Sequence, residues 1–161
     1  TGAAVLSPTT AGRLPGSPSD VLRDYAALLQ TGRSGGTSFA ADQVVRSVRD
    51  NAKQQASQVA KIASFKQTHT VTKDPIHAIA TRDGGALVVG AIERVDTFTV
   101  KKGKGHLAPP AAYRALAGVA KITKAATVRT IEVVALVIPP AGGGDVRVIG
   151  FTELPESVTA R

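Results

Sequence analysis

A chain of 161 residues is about one domain's worth of sequence, and its 43% hydrophobic content is enough to build a core, which excludes disordered, collagenous and peptide-like readings. Twenty Lys and Arg against twelve Asp and Glu leave a formal charge of +8, while aromatic residues make up only 4%, so the stacking platforms of single-strand nucleic-acid binders are scarce. With no Cys in the chain, disulfides, thiolate zinc sites, iron–sulfur ligation and cysteine nucleophiles are all excluded.

Residues 1–19, TGAAVLSPTTAGRLPGSPS, carry one Arg and no acid among many Pro, Gly, Ser and Thr. That is the composition of a linker, or else of an extended arm pinned to the domain by Val5, Leu6 and Leu14. The chain opens on Thr1 and contains no Met, so it reads as a piece of a longer protein whose targeting segment lies upstream. No run approaches the roughly 20 apolar residues of a membrane-spanning helix. Residues 20–161 read as a single α+β domain.

Asp20 is placed to cap a first helix, whose face is Val21, Leu22, Tyr25, Leu28 and Leu29 and whose end is Gly32. A longer helix is expected over residues 38–64. Its inward stripe is Val44, Val45, Val48, Ala52, Ala56, Val59, Ala60 and Ala63, and its opposite face carries Arg46, Arg49, Asp50, Lys53 and Gln54. The small residues in the middle of that stripe suit a helix laid closely on a sheet.

From residue 66 the period becomes extended, and β-branched residues punctuated by Gly and Pro predict four strands in two hairpins. The first strand covers residues 67–81, interrupted at Asp74-Pro75 because Pro lacks an amide hydrogen for the ladder. Arg82-Asp83-Gly84-Gly85 turns the chain into a second strand reaching residue 101. After the loop at 101–105 and a short helix over 110–116 closed by Gly118, strands over 126–138 and 145–154 flank the turn Pro139-Pro140-Ala141-Gly142-Gly143-Gly144. Residues 133–138 are apolar at every position, which calls for cover on both faces of that strand, from this chain or a partner, and makes a homodimer through the sheet face one expectation. Two helices followed by two hairpins is α+β, with an antiparallel sheet and helices on one face. The element order is similar to the cystatin-like and nuclear-transport-factor-2-like (NTF2-like) layouts, in which a curved sheet wraps a long helix.

Few residues carry the pattern of a chemical site. His69 and His77 share a strand parity but have Pro75 between them and no acid at ligand spacing, and His106 lies among lysines, so no metal set converges. The serines at 34, 38, 47, 57, 64 and 157 stand in no Gly-x-Ser-x-Gly elbow, and Gly142-Gly143-Gly144 precedes neither Lys-Ser/Thr nor a helix, so neither a nucleophile nor a phosphate loop is read. No catalytic residue, cofactor or metal is assigned. On the second strand, Ala86, Val88, Gly90, Ile92, Phe98 and Val100 form an inward face, and Arg94 and Asp96 fall on the same parity. Either a bulge switches the register, or a cation and a carboxylate point inward; the plainer reading is a structural ion pair. Glu132 and Glu153 are further strand carboxylates. In an NTF2-like cone, Asp96 would serve as a base, Arg94 would hold an anionic group, and His77 would join them as a ligand-binding residue. Lys101, Lys102, Lys104, His106, Lys121 and Lys124 form the main basic concentration, suited to phosphate or carboxylate polymers or simply to a solvated loop. A nucleic-acid partner is not indicated, because no groove-reading Arg or stacking aromatics accompany them.

One resemblance reaches beyond element order. Asp83-Gly84-Gly85-Ala86-Leu87-Val88-Val89, Asp96-Thr97-Phe98-Thr99, the run from Pro109-Pro110 to Leu116, and Pro139-Pro140-Ala141-Gly142-Gly143-Gly144-Asp145-Val146-Arg147-Val148-Ile149-Gly150 together resemble the C-terminal domain of uncharacterised actinobacterial secreted lipoproteins, over residues 65–154. The resemblance implies export, a lipid-anchored precursor and no assigned activity. The chain departs from the pattern in having Val89-Gly90 where aromatic residues are expected and in lacking the lipid-bearing Cys, which fits a shortened chain. Three functional expectations follow: a noncatalytic interaction module at the cell envelope, a small-molecule binder or enzyme built around Arg94 and Asp96, and an electrostatic binder of anionic wall polymer or membrane surface.

Overall fold

The computed structural model describes residues 3–161. Helix α1 (Pro18–Thr31) is capped one turn earlier than expected, by Ser17, whose Oγ accepts from the Asp20 amide at 3.2 Å. Asp20 instead occupies the first turn, where it accepts from the Ser17 hydroxyl and from Arg23. Pro18 at the first helical position gives up only an amide that no helix could use, and Ser, Pro and Asp together start the helix. Gly32 ends it in the left-handed region at φ 79°, a conformation open to Gly without the penalty a Cβ would bring.

Helix α2 (Gln43–Val59) is shorter than the expected 38–64 at both ends. At its start, Asp42 accepts from the Val44 amide at 2.8 Å, and residues 38–40 are extended, with Phe39 bridging Val146 in parallel. At its end the chain turns after Ala60 and enters a strand at Ala63, so the final residues of the expected stripe belong to the sheet. The roles of the two helices are also reversed. The shorter α1 lies against the sheet, with Val21, Leu22, Tyr25 and Leu29 fully buried, whereas α2 buries only Val48, and that not completely, and packs beside it. A wholly enclosed Leu or Val side chain contributes roughly 1.5–3 kcal/mol, so α1 is the helix that holds the sheet. Within the helix the stripe of α2 is four Val and two Ala, with no Leu or aromatic side chain to match those of α1, and so less apolar surface to compete for that place.

The sheet is antiparallel, with strands β1 (Ala63–Val71), β2 (His77–Ala80), β3 (Ala86–Val100), β4 (Ala125–Ile138) and β5 (Arg147–Ala160) in the order β1-β3-β4-β5. There are five strands rather than four, because the break at Asp74-Pro75 divides the first in two; β1 then pairs with residues 92–100 of β3 and β2 with residues 86–89. Strand β5 continues past Pro155 to Ala160, beyond the expected end at 154. It can do so because it is an edge strand and its pairing with β4 shifts register beside that proline, which leaves no ladder bond for the missing amide hydrogen. A third helix, α3 (Ala111–Ala117), closed by Gly118, packs against β5. The arm before α1 is tied down: the Leu6 amide donates to Ala78, the Ala80 amide donates to Ala4, and Leu14 is buried. The fold is therefore α+β, with the helices following one another onto one face of the sheet.

The core lies between α1 and the inner face of the sheet, where Ala86, Val88, Ile92, Val134, Leu136 and Ile138 meet Val21, Leu22, Tyr25 and Leu29. Gly90 lies beneath Leu22, and a Cβ there would overlap the Leu22 Cδ2 methyl. The missing side chain lets α1 settle onto β3. Tyr25, buried in the same layer, donates its hydroxyl to Asp42 at 2.6 Å, tying α1 to the cap of α2.

Candidate functional site

The pairing of β3 with β4 runs without a break from Ala86 to Thr99, so no bulge turns the strand over and Arg94 and Asp96 share the inner face with Val88 and Ile92. Cross-strand register then decides their neighbours. Gln67 lies opposite Asp96, His69 opposite Arg94, Thr130 opposite Arg94 on the other side, and Glu132 opposite Ile92 and Glu153. The inner face is thus apolar along one half, under α1, and polar across its middle.

Arg94 is the hub of that polar block. Its Nη1 donates to Glu153 at 2.6 Å and to Glu132 at 3.0 Å, and its Nε lies 3.3 Å from Asp96 Oδ2. Glu132 is completely buried, with His69 Nε2 3.5 Å from its Oε1. Burial by itself would lower the Arg94 guanidinium, but Asp96, Glu153 and Glu132 hold it above its ordinary value. Asp96 shows the opposite balance: burial raises its carboxyl above the ordinary carboxylate range, against the Gln67 hydrogen bond, Arg94 and His69, which pull it down. Several buried atoms in the block have no hydrogen-bond partner, namely both ring nitrogens of His69, Arg94 Nε, Thr130 Oγ1 and Glu132 Oε2; of these, His69 Nε2 and Arg94 Nε lie at ionic distance from a carboxylate. Three carboxylates around one guanidinium form a tight electrostatic knot, with Nη1 turned to Glu132 and Glu153 and Nε to Asp96.

Asp96 also faces outward from that knot. It lies in the wall of a cavity of about 330 Å³ whose other sides are largely apolar: Phe98 and Val128 from the sheet, Val59 from α2, Leu107 and Ile122 from two loops, and Tyr113 from α3. The volume is at the small end of small-molecule sites. Within it, Asp96 Oδ1 accepts from Gln67 Nε2 at 2.8 Å, which fixes the carboxylate plane. Gln55 and Gln58 of α2 also line the cavity, so an oriented carboxylate and two amide residues are set in largely apolar walls, the few polar groups that orient a ligand in such a site.

The basic residues gather at the same end of the molecule. The Val100 amide donates to Lys124 O, and Leu107 and Ile122 exchange amide hydrogen bonds at 3.0 and 2.9 Å. These bonds join the loop bearing Lys101, Lys102, Lys104 and His106 to the one bearing Lys121 and Lys124, and all six side chains are exposed. Between Thr97 and Ile131 there is no Asp or Glu. Lys101 also serves the fold locally, since its Nζ donates to Ala60 O at 2.6 Å, at the C-terminal end of α2, where a cation satisfies carbonyls that the helix leaves open.

Of the three residues read as a ligand set, the structure brings together Arg94 and Asp96. His77 is exposed on β2, opposite Val89, away from the cavity and the knot. His69 takes the place beside them, and Gln67, Glu132 and Tyr113 complete the surroundings. Parity alone groups Glu132 with Val134 and Leu136, a signal present in the sequence. Nothing in the sequence announces that Gln67 pairs with Asp96, because that depends on the β1–β3 register. No group of three or more metal-ligating side chains converges among the described residues.

No curated protein and no solved structure matches the chain. A family model described as a domain of unknown function (DUF8094) matches residues 2–155, almost the whole chain, and the protein belongs to that family.

Proposed function

We propose that the domain is a noncatalytic binding module, carried at the cell envelope, that holds a small amphipathic molecule in the cavity beside Asp96. The observation that carries this reading is an oriented, buried carboxylate in the wall of an otherwise largely apolar chamber of about 330 Å³, opening among loops that bear lysines and no acid. An apolar body fills the chamber, a hydroxyl or amine at its inner end donates to Asp96, and an anionic group at its outer end remains near the lysines. Arg94 balances the charge of the carboxylate, its Nε 3.3 Å from Asp96 Oδ2, while its Nη1 is engaged by Glu132 and Glu153. The envelope location rests on the resemblance of residues 65–154 to secreted lipoproteins.

The test is fluorescence titration with 8-anilinonaphthalene-1-sulfonate, an apolar aromatic body bearing one anion. The expected result is saturable binding at one site, lost in Ala108→Trp, where the indole enters the cavity from a loop and the circular dichroism of the sheet is unchanged. Enhancement that never saturates, or that persists in Ala108→Trp, overturns the reading.

A further inference from the structure

Antiparallel pairing brings one end of every long strand to the same pole of the molecule. Strand β1 begins there at Ala63, β3 ends at Val100, β4 begins at Ala125 and β5 ends at Ala160. Hydrogen bonds from the Lys101 amide to Ile62, from the Val100 amide to Lys124 and from the Thr123 amide to Arg161 hold the connecting segments together. Residues 60–62, 100–125 and 160–161 make up this pole. They add Lys61, Arg114 and Arg161 to the five lysines of the two loops and contain no Asp or Glu, and all eight cationic side chains are exposed. Taking those eight from the twenty Lys and Arg leaves twelve, against the twelve Asp and Glu of the whole chain. The formal charge of +8 therefore resides entirely at one pole, and the rest of the molecule is neutral. At the opposite pole Arg82 and Arg147 stand with Asp83 and Asp145, two of each sign.

The charged pole is also apolar in part. Between Lys104 and Lys121, Arg114 is the one Lys, Arg, Asp or Glu. Leu116 is 49% exposed, and Ala108, Pro110, Ala115 and Ala120 face water as well. Leu107, Ala108, Tyr113 and Ile122 of the same segment wall the cavity.

From these observations we infer that this pole docks on the surface of an anionic phospholipid bilayer, with the cavity-lining segment turned toward the lipid. Charge sets the direction, because a neutral body carrying eight cations at one end turns that end toward a negative surface before contact. Exposed apolar surface selects the bilayer over a soluble polyanion. A polyphosphate chain neutralises lysines but leaves Leu116 and its neighbours in water, whereas the headgroup boundary takes up aliphatic side chains while its phosphates pair with the cations. The third argument rests on the proposed binding of a small amphipathic molecule: such a molecule leaves water for a bilayer, so docking here sets the cavity beside the phase that dissolves its ligand.

Co-sedimentation tests the inference, with vesicles of phosphatidylcholine alone and of an equimolar mixture of phosphatidylcholine and phosphatidylglycerol. The chain is expected to sediment with the mixed vesicles, to be released as salt is raised, and to stay in solution with phosphatidylcholine. Lys102→Glu combined with Lys104→Glu should weaken binding by more than about tenfold. Arg82→Glu combined with Arg147→Glu makes the same change in net charge at the opposite pole and should leave binding nearly unchanged. The chain has no Trp, so one introduced indole reports which end meets the lipid. Leu116→Trp should emit further to the blue on the mixed vesicles, and Ala141→Trp, in the turn at the far pole, should not shift. Equal sedimentation with both vesicles, equal sensitivity to the two charge reversals, or retention on polyphosphate without binding to vesicles would each overturn the inference, the last by assigning the pole to a soluble polymer. Dye titration without lipid separates this inference from the small-molecule reading. A chain that sediments but has no saturable dye site keeps the docking and loses the ligand; one that saturates with dye but stays in solution does the reverse.

Discussion

Asp96 shows how one side chain serves two surroundings. Toward the knot it helps balance Arg94, and toward the cavity it offers an acceptor held by Gln67. Because burial raises its folded-state pKa above the ordinary 3.8, the folded chain binds that proton more tightly than the unfolded chain does. The contribution of Asp96 to stability is therefore greatest in acid and declines as pH rises through the folded value. Asp96→Asn keeps an acceptor for Gln67 and removes the titration. Urea unfolding at about pH 3 and about pH 7, on either side of the ordinary carboxylate range, is expected to show the wild type losing stability relative to the Asn variant as pH increases. A drift in the other direction would mean that Arg94 and His69 outweigh burial. The pairing of Arg94 with Asp96 is legible in strand parity, as is the inward direction of both. That three carboxylates share one guanidinium is not, because it needs residues 38 and 59 positions apart in sequence to arrive at one place.

Among the elements, the association of α1 with β3 has the most specific requirement. Leu22 occupies the space above Gly90 that a side chain there would take. Gly90→Val is expected to cost about 1–3 kcal/mol through overpacking, with part of that cost recovered when Leu22 is simultaneously shortened to Ala. Thermal or chemical unfolding of the two single variants and the double variant measures the coupling; full additivity would show that the two positions do not touch. The apolar face of α1 is readable from its spacing, and the Pro and Gly breaks locate the strands to within a few residues. The ends of α2 are not, because Asp42 caps the helix four residues after Ser38, and a helical stripe continues by coincidence into the alternation of β1. Competition between the two helices for the sheet is settled by the apolar surface each can bury, which becomes visible only when both are set against the same strands.

At the scale of the whole molecule, the +8 charge is unevenly placed. Loops at one end hold six basic side chains, joined by the Val100–Lys124 and Leu107–Ile122 hydrogen bonds. Such a pole attracts a polyanion from a distance comparable to the Debye length, about 8 Å at physiological salt. Any affinity for teichoic-acid-like or other polyphosphate chains should fall steeply between about 50 mM and about 500 mM salt as screening shortens that range. It should also fall with Lys102→Glu and Lys104→Glu, whereas Lys101→Glu should in addition destabilise the end of α2. Binding by retention on immobilised polyphosphate measures both effects, and salt-insensitive retention would exclude the lysine loops as the cause.

By itself the sequence determined the class of the fold, the order of its elements, the apolar faces of α1 and β3, and the absence of any chemistry that needs cysteine. These are properties of local spacing and composition, which a chain carries before it folds. Only the tertiary structure decided that the shorter helix holds the sheet, that His69 replaces His77 beside Arg94 and Asp96, and that Asp96 opens onto a cavity while the outer face of the sheet remains bare. Each of these depends on strand register and on which surfaces exclude one another, and register is set by the sum of many distant contacts that no single segment encodes.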